Sequence, residues 1–177
     1  DERAFVHDES IHVSIAKYFV TQGYNWEQEV AYGAQHMPLQ YFILGWSWLL
    51  TQKLHWNLPD EFIFRFPSVI MSSLTIPLVY IIGRRWGWLI ALTATLFFAF
   101  HPYVLVYTRF ASLDFPSLFW FTLGLYFYIE AQYVEKPPSR IQLWLSGVFF
   151  AIAGMTKVYS LIILAPVLIH SALLGKS

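Results

Sequence analysis

The sequence has no cysteine, which excludes a disulfide framework, a thiolate zinc site and a cysteine nucleophile. Charge is nearly as scarce. Asp, Glu, Lys and Arg make up 12% of the 177 residues, and their formal sum is zero. A neutral chain presents no basic field to draw in nucleic acid. No repeat of fixed period is visible, and the first residues, Asp1-Glu2-Arg3-Ala4-Phe5-Val6, lack the apolar stretch of a signal peptide. Apolar character is abundant instead, with 57% hydrophobic and 20% aromatic residues and a mean hydropathy of +0.50. These values point to a membrane chain. An ionised group is expensive in hydrocarbon, so each one that persists there marks a partner or a function.

Several uncharged runs approach the roughly 20 residues that a membrane-spanning helix needs. They are 66–83, 86–108, 141–156 and 158–175, and the run 115–133 carries only Glu130. Basic residues close them: Arg84 and Arg85, then Lys136 and Arg140 around Pro137-Pro138, then Lys176. The positive-inside rule places these clusters in the cytoplasm. The predicted architecture is an all-α polytopic membrane protein with about five spans in 62–177. The loop 103–114 and Lys157 then face outward. Residues 1–61 form an extracytoplasmic loop. In it Ile11, Ile15, Tyr18 and Phe19 recur at helical spacing and Gly23 offers a stop. Trp26, Tyr32 and Tyr41 suit an interfacial aromatic belt. The segment Pro38–Trp56 is helix-compatible, and we read it as interfacial or re-entrant because that collects the unusual charges on one face. Beginning among charges and stopping at Gly175-Lys176-Ser177, the chain reads as part of a longer protein.

The scarce charges supply the chemical candidates. Asp8, in His7-Asp8-Glu9-Ser10-Ile11-His12, is suited to act as a general base on an incoming acceptor, or else to cap the helix that follows. Glu9 alone would be a first-turn charge favoured by the helix dipole. His36-Met37-Pro38-Leu39-Gln40-Tyr41 places a proline near a first helical turn. Arg65-Phe66-Pro67 has the same form, with Arg65 as a headgroup anchor. Arg109 and Asp114 flank Phe-Ala-Ser-Leu after His101-Pro102-Tyr103, and read either as a structural ion pair or as a phosphate-facing arginine with a second acid. Lys157, between two uncharged stretches, either snorkels to the interface or holds a phosphate as a point charge. Asp8 and His12, at i and i+4, leave a divalent cation as an open question.

In this order the motifs resemble the GT-C superfamily of membrane glycosyltransferases, in the branch of the protein O-mannosyltransferases and the aminoarabinose transferases that modify lipid A. His7-Asp8-Glu9, Gly23 and Gln35-His36-Met37-Pro38-Leu39-Gln40-Tyr41 match the acidic motif, the glycine and the basic-Pro-Pro-Leu segment, except that Met37 replaces the first proline. Arg65-Phe66-Pro67 matches an Arg-x-Pro, Asp114 a second-loop aspartate, and Gly154-Met155-Thr156-Lys157 a later Gly-Met-x-Lys. The resemblance implies a GT-C helix bundle with an extracytoplasmic active site. It also implies inverting sugar transfer from a polyprenyl- or dolichyl-phosphate donor to a protein, glycan or lipid acceptor. Asp8 would be the base, Glu9 its motif partner and Asp114 the second acid. His36, Arg109 and Lys157 would hold the donor phosphate, where fixed cations stabilise the leaving charge. A neutral His36 would do this less well than a lysine.

A different class of function is a non-catalytic integral membrane subunit of a larger complex, built on the same scaffold. It would not need Asp8, Arg109, Asp114 and Lys157 together. A transporter is disfavoured because no broken-helix pair recurs in repeated positions.

Overall fold

The computed structural model describes residues 7–23, 38–133 and 140–174. Among the described residues every regular element is helical. Helix α1 (His7–Gln22) buries Val13, Ile15, Ala16 and Phe19 on one side. It ends at Gly23, whose φ of 89° is the left-handed conformation that glycine adopts without strain. Helix α2 (Leu39–Lys53) begins behind Pro38 and lies directly against α1. A Cβ on Gly45 would stand 2.6 Å from the Ala16 carbonyl oxygen, so only glycine lets the two backbones approach this closely. Tyr41 and Leu44 of α2 join the apolar side of α1 in a core that also takes Phe64, Ala111 and Leu113.

Helix α3 (Asp60–Gly83) starts earlier than the Arg65-Phe66-Pro67 motif suggests. Pro59, extended at ψ 142°, precedes Asp60 and Glu61 in the first turn, where acidic side chains suit the helix dipole. Pro67 and Pro77 therefore lie inside the helix, as membrane helices tolerate. With the 3-10 turn Arg84–Trp86, α3 makes Asp60–Trp86 the one segment, among the described residues, that is long and apolar enough to cross a bilayer. Trp88–Phe100, Arg140–Thr156 and Tyr159–His170 are apolar but shorter.

Helix α4 (Trp88–Phe100) folds back onto α3, and a Cβ on Gly83 would meet Ala91 Cα at 2.7 Å. The long uncharged run then breaks at His101. Its ring Nδ1 accepts from the Tyr103 N–H at 3.2 Å, which caps the short α5 (Pro102–Tyr107) where a plain loop was expected. Helices α6 (Asp114–Tyr133) and α7 (Arg140–Thr156) share an aromatic seam. Phe149 stacks on Trp120 and on Phe127, at centroid distances of 5.9 and 5.5 Å. The last run is two helices instead of one continuous segment, α8 (Tyr159–Ile163) and α9 (Ala165–Leu174). Pro166 has no N–H to continue the ladder.

Large apolar side chains point away from the bundle. Phe97 is 75% exposed, Ile141 73% and Trp144 70%, a distribution that belongs in lipid and not in water. The two charges of α6 stand near its two ends. Asp114 opens α6, while Glu130, about 24 Å further along its axis, accepts from Arg85 Nε at 3.0 Å.

Candidate functional site

The acidic end of α1 is held by a clamp built from three distant parts of the chain. Arg65, in the second turn of α3, donates from Nε to Glu9 Oε1 at 2.7 Å and from Nη2 to Oε2 at 2.8 Å. The backbone N–H of Ala111 donates to the same Oε1 at 2.8 Å. The Glu9 side chain is 2% exposed and that of Arg65 30%. A buried carboxylate survives only with such pairing, and the two-pronged fork is what arginine provides and lysine does not. Ser68, one turn along α3, donates to the Ser112 carbonyl at 3.3 Å. This ties the loop down at a second point.

The same loop runs directly into a second pair. Asp114, in the first turn of α6, accepts from Lys157 Nζ. Lys157 sits at the break between α7 and α8, its N–H bonded to the Ala153 carbonyl and its own carbonyl accepting from Ser160 Oγ at 2.8 Å. The pair is only partly shielded, with side chains 20% and 44% exposed for Lys157 and Asp114. Ala111 and Asp114 are three residues apart, so their Cα atoms lie within about 11 Å. The clamp and the pair are therefore neighbours. Beside the Asp114–Lys157 pair lies a cavity of about 280 Å³, lined by Asp114, Ser117, Phe121, Lys157, Tyr159 and Ser160. Tyr103, stacked on Tyr107 at 4.3 Å, has its phenol pKa raised, first by partial desolvation and then by the negative charge of Asp114.

Asp8 occupies the first turn of α1 beside Glu9, and its side chain lies outside the described residues, as does His36. Arg109 is exposed at the start of the loop, and among the described residues no carboxylate pairs with it. The partner of Asp114 is thus Lys157 and not Arg109. His12 Nδ1 lies 3.1 Å from the Tyr41 hydroxyl, linking α1 to α2. Among the described residues no three His, Asp or Glu side chains gather in a way that could hold a metal ion.

Sequence reading missed the role of Arg65, which it took for a headgroup anchor. One signal was available. With 11 acidic and 11 basic residues in so apolar a chain, each buried carboxylate requires a cation, and Arg65 stands directly before the uncharged run 66–83.

Residues 35–173 match the family of dolichyl-phosphate-mannose-protein mannosyltransferases. The chain belongs to that family. Its members are integral membrane glycosyltransferases, which agrees with the all-helical fold and the lipid-suited exterior. The match begins at residue 35, so Asp8 and Glu9 lie ahead of it, while Arg65, Arg109, Asp114 and Lys157 fall within it. No curated protein matches the chain, and no solved structure does.

Proposed function

We propose that the protein transfers a sugar from a polyprenyl- or dolichyl-phosphate carrier to an extracytoplasmic acceptor, with inversion and with Asp8 as the base. The family's own donor, mannose on dolichyl phosphate, is the first to test. The observation that carries this reading is the clamp on Glu9, which brings the first turn of α1 beside the loop that ends in Asp114. Both ion pairs sit at the end of the bundle opposite Arg84 and Arg85, the end that faces outward if the arginines lie in the cytoplasm. The short α2, packed on α1, suits an interfacial helix at that same face.

The chemistry follows from these positions. Asp8 takes the proton of the acceptor hydroxyl as its oxygen attacks the anomeric carbon. The bond from that carbon to the phosphate oxygen breaks, and the phosphate leaves with the electron pair. Arg109 and Lys157 are the cations that meet the developing charge, and the partly buried Lys157 is worth more there than a cation in water. Glu9, with both oxygens occupied, positions Asp8 and does not itself move a proton. Asp114 holds Lys157 in place until the phosphate arrives. His36, in the segment leading to α2, is the third candidate for the phosphate.

The test is sugar transfer by the Asp8→Asn variant, with folding checked by its elution from detergent as a single species. Abolished transfer from a folded variant is expected, and near-normal turnover refutes the base assignment. A second reading, a non-catalytic membrane subunit, rests on the fact that Glu9 and Asp114 already have cationic partners. It leads if the purified wild-type protein shows no transfer with any lipid-phosphate sugar while remaining folded.

A further inference from the structure

The opposite end of the bundle holds a second crevice that the proposed reaction does not use. Its volume is about 270 Å³, and Trp86, Leu125, Tyr128, Ile129, Val167 and His170 line it. The walls are apolar except where the Tyr128 hydroxyl meets His170 Nδ1 at 2.9 Å. With the phenol donating to Nδ1, the neutral imidazole carries its proton on Nε2 and retains a donor. Gln132, which also lines the crevice, lies one turn beyond Tyr128, about 6 Å along α6 toward its end. The crevice therefore grades from an apolar slot through hydrogen-bonding groups to its rim.

That rim is cationic. Arg85 directly precedes the lining residue Trp86, and Glu130, its partner, directly follows the lining residue Ile129. Arg84 adds a second positive charge. It is exposed, it reaches the Tyr80 hydroxyl at 3.3 Å, and among the described residues no carboxylate faces it. Among the described residues this end carries Arg84, Arg85 and Arg140 against Glu130, a net positive charge beside an apolar slot.

We infer that this crevice is a binding site for an anionic glycerophospholipid, with an acyl chain in the slot and the phosphate headgroup on the Arg84 side of the rim. The ester and glycerol oxygens fall at the level of His170 and Gln132, which can donate to them. Basic pockets between membrane helices favour acidic headgroups on such electrostatic grounds. A zwitterionic lipid would fill the slot equally well but gain less at the rim, so charge sets the selectivity.

Native mass spectrometry of the protein purified from membranes tests this with dioleoyl-phosphatidylglycerol, dioleoyl-phosphatidylcholine and inorganic phosphate as probes. Phosphatidylglycerol is expected to be retained about fivefold better than phosphatidylcholine, the size of one interfacial arginine contact. Inorganic phosphate alone should not bind. Arg84→Gln should bring the two lipids level, Arg84→Lys should preserve the preference, and Val167→Trp, which fills the slot, should reduce retention of both. Equal retention by the wild type, an unchanged preference in Arg84→Gln, or binding of inorganic phosphate alone would overturn the site. Absence of any retained lipid would do so as well, because another segment of protein would then occupy the slot. Sugar transfer is not the readout, so the outcome is independent of the proposed reaction.

Discussion

Arg65 grips both carboxylate oxygens of Glu9 across 56 residues of chain, at 2.7 and 2.8 Å. A third bond from the Ala111 N–H, 102 residues from Glu9, completes the clamp. The acidic motif is thus fixed to a rigid helix and to the loop that leads into Asp114. This is the arrangement that a positioned base requires.

Glu9→Gln should destabilise the protein by about 2 kcal/mol, the range for hydrogen bonds to charged groups. It keeps an acceptor for Ala111 but removes the carboxylate from Arg65. A lower midpoint of thermal unfolding in detergent checks this. Arg65→Lys should fall between the two, since it keeps the charge and loses the fork.

Asp8→Asn should lower transfer by about 10²- to 10⁴-fold, the usual contribution of a general base. Its thermal midpoint should stay near that of the wild type. Loss of stability in Asp8→Ala, with stability and turnover both kept in Asp8→Asn, would mark Asp8 as a helix cap, since Asn caps as well as Asp.

Lys157→Ala should lower kcat/KM for the lipid-linked donor by about tenfold or more, through a raised apparent KM and a reduced kcat together, because the cation meets both the bound phosphate and its developing charge. Combined with Asp114→Asn, it should depart from additivity by at least about 0.5 kcal/mol, because the two side chains form one pair. Additive effects in that cycle would mean that the pair is not formed in solution.

Gly45→Ala and Gly147→Ala should behave oppositely. The first places a methyl 2.5 Å from Val20 and 2.6 Å from the Ala16 oxygen, and should cost about 1–3 kcal/mol as overpacking. The second meets nothing within 4 Å, and should be neutral or stabilising by up to about 1 kcal/mol through helix propensity. Thermal midpoints of the two variants decide this.

The parts of the fold set by local chemistry were legible in the sequence. Apolar spacing in Ile11, Ile15 and Phe19 marked α1, Gly23 its stop, and the uncharged runs the long helices. Proline was a less reliable guide. Pro166 does coincide with a break, whereas Pro67 sits in the third turn of a helix that Pro59, Asp60 and Glu61 had already started. The partners of the charged residues were not legible. Glu9 and Arg65, or Asp114 and Lys157, are 56 and 43 residues apart, and nothing local to either residue encodes its partner. Arg109 was the nearer candidate for Asp114, but the helix break at Lys157 brings a different cation to it. Sequence therefore identified most of the charged groups at this end of the bundle, and the packing of α1, α3, α6 and α7 decided which of them meet.

The Glu9 clamp also sets an order of events during biosynthesis. A chain made from its amino terminus at about 5–20 residues per second exposes Glu9 roughly 5–20 s before the Ala111 amide exists, since 102 residues separate them. Arg65 arrives midway. Until then the carboxylate has neither cation nor amide, and it must stay in water, because burying it alone is prohibitively costly. The first helix therefore cannot settle into its final seat while the nascent chain is short. The corner that holds Glu9 closes only after α3, α4 and the loop behind them have been delivered to the membrane.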